Sequence, residues 1–113
     1  MPENYRKEIV QRIITNMLDI QLLRMLQHQP LWGYRIKKNV ETDFHIKLRH
    51  GALYPTLKNL EQKEFLTSQK EQKDGRSRKV YSITEKGLEY LSSYYSIINE
   101  HTELAWWYPL AHL

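Results

Sequence analysis

The stretch HGALYPTLKNLEQKEFL, His50 to Leu66, sets leucines at 53, 57 and 60. This is the four-then-three spacing of a helix that buries one stripe. Pro55 interrupts the pattern early. Proline lacks a backbone N–H and is tolerated only in the first helical turn, so regular helix is expected to begin around Ala52 to Tyr54. With the leucines turned inward, Tyr54, Pro55, Lys58 and Gln62 face outward. The helix start then falls beside Arg49, His50 and Gly51, where free backbone N–H groups and low bulk suit a phosphate.

The surrounding composition bounds the possibilities. The 113 residues have room for one domain with a modest core. At 41% hydrophobic the chain is ordinary for a globular protein, and no stretch approaches the roughly 18 uninterrupted apolar residues of a membrane span. The N-terminus MPENYRKEIVQR has an early acid and no apolar run after its basic residues, unlike a secretory signal. There is no cysteine, hence neither disulfide frame nor thiolate metal site, which fits a cytoplasmic protein. The formal net charge of +4 is unevenly spread: residues 1–43 carry +2, residues 44–79 carry +5 and residues 80–113 carry −3. A basic middle beside an acidic end suggests a face for a polyanion.

Upstream, Ile9, Val10, Ile13, Ile14, Met17, Leu18, Leu22, Met25 and Leu26 recur at helical spacing between Tyr5 and Gln27, giving one long helix or two consecutive ones. QHQPLWG breaks the pattern at Pro30 and Gly33. YRIKKNVE is a short amphipathic helix with Tyr34, Ile36 and Val40 as its expected buried contacts. TDFHIKLRHG is polar and irregular.

Downstream of Phe65 the pattern turns extended. Asp74-Gly75 between FLTSQKEQK and RSRKVYSI is a strong hairpin signal. A two-residue turn there sets 68 opposite 81 and 66 opposite 83, with Leu66, Tyr81 and Ile83 on one buried face and a basic tip. Thr84 then caps a last helix with Glu85 in its first turn. Along that helix Leu88, Leu91, Tyr95, Ile98, Thr102 and Ala105 form a heptad seam, and Tyr90, Tyr94, Ile97 and Leu104 run beside it. Pro109 ends it.

Helix, helix, helix, basic hairpin, helix is the order of a winged helix-turn-helix, an α+β and mainly α fold. Three segments, LDIQLLRMLQHQPLWGYRI, GALYPTLKNLEQKEFL and GRSRKVYSITEKG, together resemble the PadR family of transcriptional regulators. The likeness rests on a Gly-Tyr opening the second helix, a Leu-Tyr-Pro-x-Leu in the recognition helix, and an Arg-Lys-x-Tyr-x-(Leu/Ile)-Thr-x-x-Gly run through the second wing strand. It covers about Ile14 to Leu91. Trp32 stands where the family often has a small or polar residue, and Phe65 replaces a more usual Gly. The resemblance implies a homodimer that binds double-stranded operator DNA, mostly as a repressor, and a short subclass without the extra C-terminal domain. One domain over 1–113 is expected: an N-terminal helix (1–15), a winged-helix core (16–83) and a C-terminal dimerisation helix with tail (84–113).

Within that frame His50, Gly51, Tyr54, Pro55, Thr56, Lys58 and Gln62 are the expected DNA-facing residues of the recognition helix. Tyr54 and Lys58, with Thr56 or Gln62, are the candidates for reading bases. Lys73, Arg76, Ser77, Arg78 and Lys79 of the wing, flanked by Lys47 and Arg49, are expected to reach phosphates or the adjacent minor groove, and Arg35, Lys37 and Lys38 are further candidates for backbone contact. Leu88, Leu91, Tyr95, Ile98, Ala105 and Trp106 are the expected dimer interface, because the last helix carries more apolar surface than its own small core can cover. Trp106, Trp107 and Tyr108 are read as interface packing, or as the place of a flat aromatic ligand of the kind some relatives respond to. The alternative to a DNA-binding regulator is a protein-interaction module or an aromatic-ligand sensor acting through the C-terminal helix. Enzymatic chemistry has no support: there is no Walker-type loop and no nucleophile elbow, and His28, His45, His50, His101 and His112 are scattered. No cofactor is expected, and Glu100, His101 and Glu103 face different ways on a helix, which does not make a metal site.

Overall fold

Asp74 and Gly75 both take positive φ, 54° and 74°, the conformation of a two-residue turn whose twist matches that of the strands it joins. The computed structural model describes residues 3–49 and 51–100. Around this turn β2 (Leu66–Lys73) and β3 (Arg76–Ile83) pair antiparallel, with Ser68 opposite Tyr81 and Leu66 opposite Ile83. Leu66 and Tyr81 are buried and Ile83 is half-buried, while the distal half of the hairpin projects into solvent.

Five helices precede or follow the hairpin among the described residues: α1 (Glu3–Asn16), α2 (Leu18–Leu26), α3 (Gly33–Phe44), α4 (Leu53–Gln62) and α5 (Glu85–Glu100). The apolar run from Tyr5 to Gln27 is thus two helices, broken at Met17, whose φ of −120° and ψ of 34° leave the helical region. A short β1 (Leu31–Trp32) joins the edge of the sheet in the order β1-β3-β2, with Leu31 opposite Tyr81 and Trp32 opposite Val80. From the sequence alone this segment is only a break between helices. Two residues after a proline give no alternation to detect, and pairing with a distant strand creates the element.

Ile14, Leu22, Leu23, Ile36, Val40, Leu57 and Leu91 are almost wholly shielded and draw every helix into one core with the base of the sheet. Tyr34 does not join them. It stays 49% exposed, because Ile36 and Val40 fix the inward face of α3 and a residue two positions before Ile36 lies about 200° around the helix. No helix of the described residues is long and apolar enough to cross a membrane.

The joint between the hairpin and α5 is tightly built. The Thr84 hydroxyl donates to the Glu64 carbonyl at 2.6 Å and accepts the Gly87 N–H at 3.0 Å, so it caps α5 while tying it to the end of α4. The Thr84 N–H donates to the Phe65 carbonyl at 3.1 Å. That same carbonyl oxygen lies where a side chain at Gly87 would begin.

Candidate nucleic-acid interface

Leu53, Leu57 and Leu60 are buried and anchor α4 to the core, which leaves Tyr54, Pro55, Lys58 and Gln62 exposed on its outer side. Regular helix begins at Leu53 after Ala52, so Pro55 is the third helical residue and its missing N–H breaks no intrahelical bond. Gly51 leads in with φ of 85°, a left-handed conformation that glycine adopts without strain. His50 lies outside the described residues.

Tyr54 is 56% exposed yet not free. Its ring lies against Gly33, where a built Cβ would stand 2.8 Å from a ring carbon. The first residue of α3 and the outer face of α4 are therefore packed against each other through the absence of a side chain. Thr56 is half-buried and donates its hydroxyl proton to the Ala52 carbonyl at 2.9 Å, which removes its donor from the outer face.

Glu61, which sequence reasoning did not single out, locks α4 to the wing. One carboxylate oxygen accepts the Ser68 hydroxyl at 2.6 Å and the other meets the Lys79 ammonium at 3.2 Å. The hairpin register held the signal, since it puts Ser68 and Lys79 on the face that carries Leu66 and Tyr81, and an acid beside Leu60 is what they meet. Lys79 is accordingly occupied on this face, its Nζ also 5.6 Å from the Tyr81 ring centroid. Burial pushes the Tyr81 phenol above its ordinary range, against the opposing pull of Lys79.

The remaining wing cations differ among themselves. Lys73, Arg76 and Ser77 are exposed around the tip. Arg78 is half-buried, its guanidinium 4.6 Å from the Trp32 ring centroid and its Nε buried without a hydrogen-bond partner. Lys47 and Arg49 are exposed in the segment before α4 and line, with Lys7, Gln11, Thr15 and His45, a basic cleft of about 640 Å³ beneath α1. α4 and the hairpin, joined through Glu61, thus carry Lys58, Lys73 and Arg76 as exposed cations.

The expected dimer residues divide. Leu88, Tyr95 and Ile98 are exposed on α5, with Tyr90 and Ile97 beside them. Leu91, assigned to that interface from the heptad pattern, is instead 1% exposed in the protomer's own core, because it lies one turn after the buried Gly87 on the face that α5 turns inward. Tyr95 also accepts from Arg24 Nε at 3.1 Å, tying α5 to α2. Ala105, Trp106, Trp107 and Tyr108 lie outside the described residues.

Comparison with protein families matches residues 22–93 to the transcriptional regulator PadR-like family. Solved structures agree in fold. A PadR family transcriptional regulator from Eggerthella lenta is similar at 24% identity over 89% of this chain and 88% of its own, with a TM-score of 0.73. A transcriptional regulator from Clostridium thermocellum matches at 23% identity over 81% and 92%, TM-score 0.69. A PadR family transcription regulator from Clostridium difficile matches at 27% identity over 75% and 94%, TM-score 0.63. Curated protein sequences give no match.

Proposed function

The chain belongs to the PadR-like family of transcriptional regulators, DNA-binding proteins and not enzymes, and from that premise we propose that it acts as a homodimer on a palindromic operator, as a repressor. The observation that carries this reading is the pairing of an exposed polar face on α4 with a basic hairpin clamped to it through Glu61. Such a unit presents a helix to the major groove and a wing to the flanking backbone.

Twofold pairing is supported by apolar surface that the protomer leaves open: Tyr5, Ile9 and Ile13 along α1, and Leu88, Tyr90, Ile97 and Ile98 along α5. Residues 5, 9 and 13 are spaced by four and make a continuous stripe. Two such stripes, duplicated by symmetry, form the kind of apolar patch that soluble proteins cover with a second chain.

Tyr54 and Lys58 read bases in this proposal, while Lys73 and Arg76 at the wing tip, with Lys47 and Arg49, neutralise phosphates. Selection of bound duplexes from a random pool, followed by titration of variants, tests it. The enriched site is expected to be palindromic with half-sites about one helical turn apart. Tyr54→Ala or Lys58→Ala weakens binding to that site selectively, whereas Arg76→Ala weakens binding to selected and random duplexes alike and lowers the salt slope by about one contact. Equal losses on both duplexes for all three variants contradict the assignment of roles.

A further inference from the structure

Arg78 and Glu71 face each other across the β2–β3 ladder, an opposite-charge pair in direct register. A surface arginine in that place ordinarily turns to the acid. Here Lys79–Glu61 is the ion pair found among the described residues, and the Arg78 guanidinium lies over the Trp32 ring instead, 4.6 Å from its centroid. The Nε is buried there without a hydrogen-bond partner, and a buried unpaired donor costs free energy that a solvated rotamer would avoid. An arrangement that gives up an available carboxylate and strands a donor needs a compensating use.

Trp32 sits at a joint. It is the last residue of β1 and directly precedes Gly33, against which Tyr54 of the recognition helix packs. The Tyr34 ring lies 5.4 Å from that of Trp32, and the Lys38 ammonium stands 5.6 Å from the Tyr34 ring centroid. Two cations thus bracket two rings from the wing strand to α3: Arg78, Trp32, Tyr34, Lys38. A guanidinium held over an indole keeps its terminal N–H groups for a planar or tetrahedral anion, and much of its side-chain freedom is already spent. The anion available beside a helix seated in the major groove is a backbone phosphate, which takes two such N–H groups at once.

We infer that Trp32 is a positioning residue that holds Arg78 ready for a DNA backbone phosphate next to the groove occupied by α4. This rests on the DNA-binding reading above. Arg78 therefore differs from Arg76 at the wing tip: it reaches its phosphate as a fixed group, and its contribution depends on an aromatic ring at position 32. Trp32 itself touches no base, so its effect is the same on every sequence.

The test uses the full chain and a 30-base-pair random-sequence duplex, with binding followed by fluorescence anisotropy between 50 and 200 mM salt. Arg78→Ala is expected to lower the slope of log affinity against log salt by about 0.9, one phosphate contact. Trp32→Leu is expected to weaken binding roughly three- to tenfold, the range of one cation–π contact. Trp32→Phe, which keeps a ring, retains most of the affinity. In the Arg78→Ala background Trp32→Leu has no further effect. Wild-type affinity and slope for Trp32→Leu with only a lowered melting temperature would make the stack purely structural, and additive losses in the double variant would overturn the inference equally. Should Trp32→Leu fail to fold, Arg78→Lys carries the question: lysine keeps the charge but not the planar fork held over the indole, so affinity is expected to fall roughly three- to tenfold with the salt slope unchanged, and wild-type affinity refutes the inference. A wild-type chain that ignores duplexes at 50 mM salt defeats the DNA-binding reading itself, a result distinct from either.

Discussion

Gly33 leaves a space that Tyr54 fills. A methyl group there would stand 2.8 Å from the ring, so Gly33→Ala forces the recognition-helix tyrosine aside at a cost of about 1–3 kcal/mol, typical of overpacking. Tyr54→Ala removes the obstacle, and the double variant is expected to be as stable as Tyr54→Ala alone. Thermal melts of the three proteins check this, and additive losses would contradict it. Gly87 is the harsher case, because its obstacle is the Phe65 backbone carbonyl, which cannot swing away as a side chain can. Gly87→Ala is expected to be among the most damaging single-methyl additions in the chain, losing 3 kcal/mol or more by an approximate reckoning. The Gly-Tyr and Thr-x-x-Gly pieces of sequence that carry the family resemblance thus have local causes: one glycine seats a tyrosine, and the other lets α5 start against a carbonyl.

Helix ends decide much at the scale of elements. α4 closes with Glu64 at φ of 65°, its N–H donating to the Glu61 carbonyl at 2.9 Å while the Phe65 N–H donates to the Leu60 carbonyl at 2.9 Å. This paired closure places its left-handed residue at Glu64, where glycine is favoured. Glu64→Gly is therefore expected to stabilise the protein by roughly 0.5–1 kcal/mol, measurable by denaturant titration, and a loss of stability would contradict the closure. Thr84→Ala, which removes the cap of α5, is expected to cost about 1–2 kcal/mol in the same assay.

The elements with strong local signals were the legible ones. The leucine stripe of α4, the Asp-Gly turn and its register, and the Thr84 cap could all be read because period, turn chemistry and capping each act over a few residues. β1 could not, since two residues pairing with a strand some fifty positions away leave no local pattern. The buried role of Leu91 was hidden for a related reason: a heptad seam specifies which residues share a face, and only tertiary packing decides which neighbour that face meets. Tyr34, expected in the core, is exposed because Ile36 and Val40 fix the inward face of α3, and the contact of Arg78 with Trp32 had no local signal because β1 sets the place of that ring.

The described chain is drawn out, 62 by 34 by 21 Å with a radius of gyration of 16.7 Å, where about 13 Å is usual for a compact domain of 100 residues. Projecting wing and terminal helices account for the excess, and α1 and α5 carry their open apolar stripes on it. A second chain across those stripes would leave both α4 helices exposed with their wings. Charged substitutions on the stripe, Ile9→Glu with Ile13→Glu, are expected to abolish self-association while leaving Ile14 and the core of each protomer intact, and retained dimers by light scattering would contradict the proposed pairing. Mass in solution is thus tied to DNA binding, since two linked half-site contacts hold the operator far more tightly than either alone. Sedimentation of the chain with one duplex carrying the selected palindrome tests that claim most directly. A complex of two 13.7 kDa chains on one duplex, formed cooperatively and lost as salt rises, is expected; a single bound chain, or none at low salt, would overturn the proposed pairing.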